Sequence, residues 1–273
     1  MNQEPQRKIG IISDIHSNLS ALETIVITLR RRGVKEYLCL GDIVGYGPEP
    51  NECLEFIQEL PLLAIVAGNH DRAAIFPEEA ENFSPDARQA IFWTGRELTP
   101  QNKEFLQQLK PVITWENFTL VHGSPRPNWY YRQYLHTKEE LASVINDFFT
   151  PVCLFGHTHI QTLFWGRHNL DDKSRMFSSK ITNNDGSENI HPGQIYSLNI
   201  QSHLPEAPIK YIINPGSVGQ PRDNNPQAAA AIFYPENPAI EFIRLDYDIA
   251  TTQRLIGQKR LPGLLANRLN FGQ

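Results

Sequence analysis

Six short apolar segments in this chain are each followed directly by residues that carry oxygen or nitrogen ligand atoms. Carboxylates, amides and imidazoles are side chains that bind metal ions in proteins. One such pairing could occur by chance, but six together predict a metal site. The segments are 9–12, 37–40, 62–67, 118–121, 152–155 and 211–213, and the residues that follow them include Asp14, His16, Asp42, Asn69, His70, Asp71, His122, His157, His159 and Asn214.

Two of the motifs have a single residue between their ligands: Asp14 with His16, and His157 with His159. In an extended segment, side chains at positions i and i+2 point to the same side, so each pair could reach one ion. A ligand shared by two ions is best a carboxylate, because a carboxylate has two oxygens and a negative charge. Asp42 is alone in its motif and is the natural shared ligand. The ligand set therefore suits two metal ions.

The proportion of histidine indicates which metals would bind. Imidazole suits transition metals better than calcium or magnesium, so we expect Mn, Fe, Zn, Ni or Co, with manganese the first choice in an assay. Asp14 and Asp42 bring two negative charges against the four positive charges of two divalent ions. The site stays positive, attracts a phosphoryl oxygen and lowers the pKa of bound water to roughly 7. This chemistry predicts a phosphoester hydrolase that uses metal-bound hydroxide.

His70 and Asp71 require a different interpretation from the metal ligands. His70 follows Asn69 directly, so their two side chains should not bind the same ion. A histidine at the rim could protonate the leaving alkoxide, which contributes roughly 10²–10⁴-fold in rate. Asp71 is either a charge at the N-terminus of a helix or a catalytic group. The aromatic residues at 129–131 could stack on a base or aryl leaving group, or cover the edge of the core.

Composition limits the class of protein. The chain has 273 residues, of which 40% are hydrophobic and 20% charged, enough for one large α/β domain or two small ones. The net charge of -5 argues against broad nucleic-acid binding, which depends on Lys and Arg, so no stable nucleic-acid partner is expected. No apolar stretch approaches transmembrane length, which predicts no membrane association. Cys39, Cys53 and Cys153 show no disulfide framework, and we expect a cytoplasmic location.

The first part of the chain alternates strands with helices, a pattern typical of parallel strands joined by crossovers. The first helix begins near Ser20, which could form a capping box with Glu23. A hairpin is predicted at 112–121, and mostly strands follow from 152 onward. Helices are predicted at 49–59, 84–97, 100–109, 138–149 and 250–269, the last of them broken near Pro262-Gly263. Later strands are predicted at 152–155, 160–165, 195–200, 211–213, 229–234 and 240–245.

A polar stretch at about 166–208 is rich in Asn, Asp and Ser. Within it, only 195–200 has the pattern of a strand. We interpret the stretch as a surface insertion on a hairpin of one domain that spans residues 1–273. A lid over the site is the alternative interpretation.

The motif series resembles the calcineurin-like metallophosphoesterase superfamily, and more narrowly its small prokaryotic phosphodiesterase branch. The resemblance extends from Lys8 nearly to Gln273, apart from the polar stretch. It rests on Asp14-Ile-His16, Gly41-Asp42, Gly68-Asn69-His70-Asp71, His122-Gly123 and Gly156-His157-Thr-His159, with Gly41–Pro48 and Asn214–Asp223 pointing to the narrower branch.

The resemblance implies an α/β fold, a four-layer α/β/β/α sandwich of two mixed sheets. It also implies a role for each motif residue in a site with two metal ions. The roles are a first ion bound by Asp14, His16 and His159, a second bound by Asn69, His122 and His157, a bridge at Asp42, and a general acid or phosphate-orienting residue at His70.

The loop after Asp42 departs from one part of the superfamily. Protein serine/threonine phosphatases have a second Asp and an Arg there that grip the phosphate, whereas this chain reads Val44-Gly45-Tyr46. The difference favours a diester, whose single negative charge needs fewer arginines, although Arg126 and Arg222 could substitute. A phosphodiesterase for a small phosphoester is therefore expected. The alternatives are a phosphomonoesterase for nucleotides or phosphoproteins and a non-catalytic metal-binding scaffold, and the intact ligand set argues against the scaffold.

Overall fold

The computed structural model describes residues 6–167, 177–181, 190–200 and 209–273. Over these ranges the chain forms two six-stranded sheets that pack face to face, with helices on their outer sides. The predicted α/β sandwich of two mixed sheets is therefore confirmed. Much of the polar stretch at about 166–208, for which a surface insertion or a lid was predicted, lies outside the described residues.

The first sheet contains three parallel strands and three antiparallel strands. Its members, numbered in chain order, are β1 (Ile9–Ile12), β2 (Glu36–Cys39), β3 (Leu62–Ile65), β9 (Ile195–Ser197), β11 (Ala228–Tyr234) and β12 (Ala239–Leu245). They lie in the order β3-β2-β1-β11-β12-β9, and the parallel group is β1, β2 and β3. The carboxyl ends of the three parallel strands therefore meet at one edge of the sheet.

The second sheet is also mixed. Its members are β4 (Val112–Trp115), β5 (Phe118–Val121), β6 (Val152–Leu154), β7 (Thr162–Arg167), β8 (Phe177–Ile181) and β10 (Ile209–Asn214). The order is β4-β5-β6-β10-β7-β8, and β5, β6 and β10 run parallel. The predicted hairpin is present as β4 and β5. The expectation of a single strand within 166–208 was wrong, because β8 pairs with β7 there through backbone hydrogen bonds, which leave little pattern in the sequence.

The helices lie mainly between the strands of the first half and at the C-terminal end. They are α1 (Leu19–Arg31), α2 (Pro50–Gln58), α3 (Asn69–Ile75), α4 (Pro85–Glu97), α5 (Pro100–Gln108), α6 (Lys138–Ser143), α7 (Ile249–Gln258) and α8 (Gly263–Asn267), with 3₁₀ turns at Pro77–Ala80 and Arg268–Phe271. Proline occupies the first position of α2, α4 and α5, where its missing N–H has no partner to lose. Over the residues that the structure describes, no helix is both long and apolar enough to cross a membrane.

The start of α1 differs from the prediction. The predicted capping box of Ser20 and Glu23 does not form, because the helix begins earlier, at Leu19. Asn18 caps the helix instead, and its side-chain oxygen accepts a hydrogen bond from the backbone N–H of Ala21 at 3.3 Å. Asn is as good an N-cap as Ser. Asn18 rather than Ser20 is the cap because Asn18 lies directly before the first helical residue, at the end of the loop that follows β1.

Two further helices differ from the prediction. The helix expected at 138–149 ends at Ser143, where two β-branched residues and then Asn146-Asp147 follow. Such residues favour turns or strands over helix interiors. The short helix α3 was anticipated only as one interpretation of Asp71, because its seven residues are too few to show a helical period.

Three apolar layers hold the four structural layers together. Ile9 and Ile11 of β1 face the second sheet, while Ile12 faces the layer formed with α1 and α2. Phe155 lies in a third layer, between the second sheet and the segment around α6. Strands buried on both faces have continuous apolar sequences rather than alternating ones, which explains the short apolar runs. The three cysteines are buried and free, as predicted.

Candidate metal centre

The loops that follow the parallel strands of both sheets meet at one edge of the sandwich. Within each of two groups of candidate ligands, one ligand atom per residue lies within 4.8 Å of the others. All of these residues are buried. The groups are Asp14, His16, Asp42 and His159, and Asp42, His122 and His157. Asp42 belongs to both groups, so one carboxylate lies between two clusters of donors.

The first group is crowded with donor atoms. The Nε2 atoms of His16 and His159 are 3.1 Å apart, and His159 Nε2 lies 3.2 Å from Asp14 Oδ1. The other oxygen of Asp14 accepts a hydrogen bond of 2.6 Å from the Ser13 hydroxyl. Two imidazole nitrogens and a carboxylate oxygen at such distances present their lone pairs to one point. This arrangement fits a cation.

In the second group the two oxygens of Asp42 have different surroundings. Asp42 Oδ1 accepts a hydrogen bond of 2.8 Å from the backbone N–H of His70. Asp42 Oδ2 lies 3.1 Å from His122 Nε2 and 3.6 Å from His16 Nε2. The second oxygen therefore faces ligands of both groups, as a bridging oxygen must.

Unpaired polar atoms test whether these residues fit a divalent ion. Asn69 Oδ1, His122 Nε2 and His157 Nε2 are buried and have no hydrogen-bond partner. Buried polar side-chain atoms are nearly always hydrogen-bonded, so an unpaired set at one place needs an explanation. The three atoms belong to the residues expected to hold the second ion, and a transition-metal ion would satisfy all three. The donor set therefore fits the metal pair that the motifs predict.

The second ring nitrogen of three histidines is fixed by a backbone carbonyl. The Nδ1 atoms of His16 and His122 lie 3.2 Å from the carbonyl oxygen of Val44 and 2.7 Å from that of Leu40. His159 Nδ1 makes the same kind of contact with the carbonyl oxygen of Gln220. A ring whose Nδ1–H donates to a carbonyl presents the lone pair of Nε2 on its other side. Each imidazole is thus set to act as a ligand.

The backbone of the ligand loops is unusual. Asp14, His16, Asp42, His157 and His159 all have positive φ angles, between 50° and 65°. This left-handed conformation is uncommon outside glycine and costs energy, so it persists only where surrounding contacts enforce it. The expectation that the ligand pairs sit in extended segments was therefore wrong. The pairs converge through tight left-handed turns, which depend on tertiary contacts.

Glycines allow the loops of the centre to approach each other closely. A Cβ atom on Gly68 would lie 2.0 Å from Asp42 Oδ1, and one on Gly156 would lie 2.1 Å from Ser13 Oγ. Neither position has room for a side chain. The glycines before Asn69 and His157 are therefore required by the packing of one ligand loop on another.

Charges in the centre shift the pKa values of its residues. Burial alone would raise the pKa of Asp14, but the nearby His159 and His122 lower it to about 2. Burial alone would lower the pKa of His122, whereas the charges of Asp42 and Asp14 raise it to about 9. Burial lowers the pKa of His16 well below its usual range. Without a metal ion, His122 is therefore protonated at neutral pH, and its charge offsets part of the negative charge of Asp14 and Asp42.

His70 lies beside the centre rather than within either group. Its ring contacts the rings of Tyr46 and Phe83, with centroid distances of 4.3 and 4.6 Å, and Nδ1 is buried without a partner. Burial lowers the pKa of His70 to about 4. The residue lines a cavity of about 350 Å³ together with Asn69 and His157. This site cavity leads to the candidate ligands.

Aromatic side chains form much of the wall of the site cavity. Tyr46, Phe83, Tyr131 and Tyr134 all line it. Of the aromatic residues at 129–131, only Tyr131 is among the lining residues. Trp129 is 51% exposed, and Tyr130 packs on the apolar layer near α6. Tyr131 is therefore placed where a bound aromatic group could stack on it, whereas Tyr130 covers the edge of the core.

Asp71 and Asn214 tie the ligand loops together without belonging to either ligand group. Asp71 accepts hydrogen bonds from the backbone N–H groups of Ile43 and Gly68 at 2.8 and 2.9 Å, which caps α3 and joins two loops. Asn214 donates to the carbonyl oxygen of Gly156 at 2.7 Å and to the Thr158 hydroxyl at 2.9 Å. The structure thus favours the helix N-terminus interpretation of Asp71. In the sequence, Asn214 is evident only as part of a motif.

The two arginines considered as phosphate-binding residues have different positions. Arg126 pairs with Asp147 at 2.9 Å and is partly exposed. Arg222 donates a hydrogen bond of 3.1 Å to the Tyr46 hydroxyl, and its backbone N–H donates to the carbonyl oxygen of His159. Only Arg222 therefore lies against the centre.

Comparisons with known proteins agree with this geometry. The family model described as calcineurin-like phosphoesterase matches residues 7–161, more than half of the chain. An uncharacterized protein of Methanocaldococcus jannaschii is 35% identical over 97% of this chain and 98% of its own length. The crystal structure of a metallophosphoesterase from Sphaerobacter thermophilus is 35% identical, with a TM-score of 0.78 over 98% of this chain and 100% of that one.

More distant relatives carry names that specify an activity. A symmetrical bis(5'-nucleosyl)-tetraphosphatase of Psychromonas ingrahamii is 26% identical over 50% of this chain and 52% of its own length. The chain thus spans about half the length of the tetraphosphatases it matches. Taken with the donor set at the sheet edge, the family match and the full-length relatives show that this chain belongs to the calcineurin-like phosphoesterases, which are metal-dependent phosphoester hydrolases.

Proposed function

We propose that this chain is a phosphodiesterase that uses two divalent transition-metal ions. The observation that carries the proposal is the charge of the substrate side of the site. Among the described residues that line the site cavity, Arg132 is the only Lys or Arg, and Glu79 also lines it. Tyr46 lies in the loop where phosphoprotein phosphatases have their phosphate-gripping arginine. A cavity with so little positive charge suits the single charge of a diester better than the double charge of a monoester.

The proposal assigns roles to the residues of the two groups. When bound, two divalent ions supply positive charge to the phosphoryl oxygens and a water molecule that ionises near neutral pH. The chain's own residues hold and orient these partners. The assignments are Asp14, His16 and His159 for one ion, Asn69, His122 and His157 for the other, and Asp42 shared between them.

His70 is proposed to act on the substrate directly. Its ring lines the cavity together with Asn69, and its centroid lies 4.9 Å from that of His16, one of the candidate ligands. With its pKa lowered to about 4 by burial, His70 is neutral at pH 7. A neutral imidazole still has one N–H, which can donate to a phosphoryl or leaving oxygen. A bound phosphoester anion would raise the pKa of His70, so that a larger fraction of this residue carries the second proton that it could transfer to the leaving oxygen.

The aromatic wall supports a particular kind of leaving group. The rings of Phe83, Tyr131 and Tyr134 can stack on a flat aromatic group, and the cavity has about 350 Å³ of space. Nucleobases and aryl groups have this shape. The relatives that match over about half of their length are named as bis(5'-nucleosyl)-tetraphosphatases, which is consistent with a nucleotide substrate for this chain.

A comparison of esters tests the proposal. Protein treated with a chelator and reloaded with Mn²⁺ is assayed with bis-p-nitrophenyl phosphate and with p-nitrophenyl phosphate. The two esters share one leaving group, so they differ chiefly in charge and size. We expect kcat/KM to be at least roughly tenfold higher for the diester. Preference for the monoester would contradict the proposal and favour a phosphomonoesterase, and metal binding without turnover of either ester would indicate a scaffold.

A further inference from the structure

We infer that the hydroxyl groups of Tyr46 and Tyr134 donate hydrogen bonds to the phosphoryl oxygens of the substrate, and that Arg222 positions the hydroxyl of Tyr46. This inference rests on the proposed phosphodiesterase function and names groups that give it specificity. In place of a pair of charged phosphate ligands, the site would use neutral donors beside one partly buried cation. The observations come from the loop around Tyr46, from the contacts of Arg222 and from the position of Tyr134.

The residues on either side of Tyr46 pack closely against His70 and His16. Tyr46 has a φ of 59°, a left-handed conformation that is rare for a bulky residue. A Cβ atom on Gly45 would lie 2.4 Å from His70 Nδ1, and one on Gly47 would lie 2.3 Å from the carbonyl oxygen of His16. Strain of this kind is typical of residues held in place for a site. Neither Gly45 nor Gly47 therefore has room for a side chain, and the loop packs directly against His70 and His16.

The Tyr46 ring occupies the space between the candidate ligands and the C-terminal turn. Its centroid lies 4.6 Å from that of His16 and 4.3 Å from that of His70. The guanidinium carbon of Arg268, in the 3₁₀ turn at Arg268–Phe271, lies 4.3 Å from the same ring centroid. Tyr46 also lines the site cavity. The ring is thus clamped where its hydroxyl can meet a group bound in the cavity.

Arg222 leaves the proton of the Tyr46 hydroxyl unused. Arg222 Nη2 donates to Tyr46 Oη at 3.1 Å, so the tyrosine oxygen is the acceptor in this contact. A guanidinium group has no acceptor atom, whereas a tyrosine hydroxyl both accepts and donates. The Tyr46 O–H can therefore donate elsewhere. A positive charge on the oxygen side also makes the hydroxyl a stronger donor.

Tyr134 lines the same cavity from the segment between β5 and α6. Its ring stacks on His157 with a centroid distance of 4.0 Å. The charge of Arg222 opposes the effect of burial on the pKa of the Tyr134 hydroxyl, while the hydrogen bond of Arg222 goes to the hydroxyl of Tyr46. Among the described residues, no carboxylate lies within 4.0 Å of the Arg222 guanidinium as an ion-pair partner. Arg222 thus fixes the Tyr46 hydroxyl, and Tyr134 adds a second aromatic hydroxyl to the wall of the same cavity.

The chemistry of these donors selects for charge. A hydroxyl binds a phosphoryl oxygen without adding a full positive charge at the surface of the cavity. The phosphoryl group of a diester carries one negative charge, which the metal pair and one partly buried guanidinium can balance. A monoester carries nearly two charges and would gain more from arginines in direct contact. The tyrosine pair therefore points to a phosphodiester anion as the preferred substrate.

The variant Tyr46→Phe tests the inference, because it keeps the ring that packs on His16 and His70. The matched control is Tyr37→Phe, since Tyr37 is fully buried in the layer between the first sheet and the helices. Binding of inorganic phosphate to Mn²⁺-loaded protein is measured by calorimetry, with metal content and the KM for bis-p-nitrophenyl phosphate. We expect Tyr46→Phe to raise the phosphate Kd and the KM roughly tenfold at unchanged metal content. The control should leave all three unchanged.

The outcomes separate this inference from the proposed function. A phosphate Kd for Tyr46→Phe within about twofold of the unsubstituted protein would overturn the role of the hydroxyl. A loss of metal in this variant would also overturn it, because Tyr46 would then be structural. If the unsubstituted protein hydrolyses no phosphoester, the proposed function fails, while the phosphate titration still decides the role of Tyr46.

Discussion

The loops of the two sheets contribute different ligands to the centre. Those that follow β1, β2 and β3 of the first sheet supply both carboxylates, Asp14 and Asp42, the amide of Asn69 and one imidazole, that of His16. The second sheet supplies only imidazoles, from His122 after β5 and from the loop after β6. The first sheet therefore contributes all of the negative charge, and the second contributes most of the imidazoles, which favour transition metals.

Each sheet also fixes ligands of the other. The backbone N–H of His157, in the second sheet, donates to Asp14 of the first at 3.1 Å. Conversely, Nδ1 of His122 contacts the carbonyl oxygen of Leu40, at the end of β2, at 2.7 Å. Neither set of ligands is correctly oriented unless the sheets are packed together. Metal affinity and the packing of the sandwich should therefore be coupled.

The largest effect is expected from the shared carboxylate. Asp42→Asn removes a charge that faces both ligand groups, so both ions should bind less tightly and kcat/KM for the diester should fall by about 10³-fold or more. Metal analysis and steady-state kinetics measure both effects. The control is Asp147→Asn, which removes a carboxylate from the surface pair with Arg126. Full metal content with full activity in Asp42→Asn would refute its bridging role.

His70→Ala should have a large effect on rate with little effect on metal. His70 lies in neither ligand group, so we expect metal content to stay unchanged while kcat falls by at least about 10²-fold. The loss should be greater for an alkyl leaving group than for p-nitrophenolate, because a poor leaving group needs the proton more. An equal loss for both leaving groups would indicate that His70 orients the phosphate instead.

A second-sheet imidazole should matter to one ion only. His122→Asn is expected to reduce metal content from two ions to one and activity by roughly tenfold to a hundredfold, because the first group remains complete. The exposed His191 supplies the control, His191→Asn. If His122→Asn released both ions, the division between the two groups would be wrong.

Metal binding should release a proton from the second sheet. The charges of Asp42 and Asp14 overcome the effect of burial and raise the pKa of His122 to about 9, so this residue is protonated below that pH when no metal is bound. The ion must displace the proton, and its affinity should therefore rise about tenfold per pH unit up to pH 9 and then level off. Calorimetry in buffers of different ionisation enthalpy counts the protons. Binding without proton release would contradict the assignment of His122.

The smallest effect should come from the arginine that lies away from the centre. Arg126→Gln breaks a partly exposed ion pair with Asp147, and such pairs contribute about 0–1 kcal/mol to stability. Because this pair lies away from the centre, activity should stay within about twofold of that of the unsubstituted protein. Arg222→Gln should raise the KM for the diester, because it removes the donor to Tyr46. A larger effect of Arg126→Gln than of Arg222→Gln would reverse the positions assigned to them.

Local pattern explains which elements could be predicted. The apolar runs that became β1 and β2 are almost entirely buried, and the prolines at the first positions of α4 and α5 are strong local signals. The weak points were short or edge elements. The helix α3 has seven residues, too few to show a helical period, and β8 has five, which are held by backbone pairing with β7.

By itself, the sequence determined the kinds of ligand, their order and the strands that carry them, because these are local properties of apolar runs and the residues after them. Only the tertiary structure decided that the ligand pairs turn through left-handed backbone, and that Arg222 rather than Arg126 lies against the centre. His16 and His159 are 143 residues apart in the chain and 3.1 Å apart in space. Such contacts arise from the packing of one sheet on the other, and no local spacing encodes them.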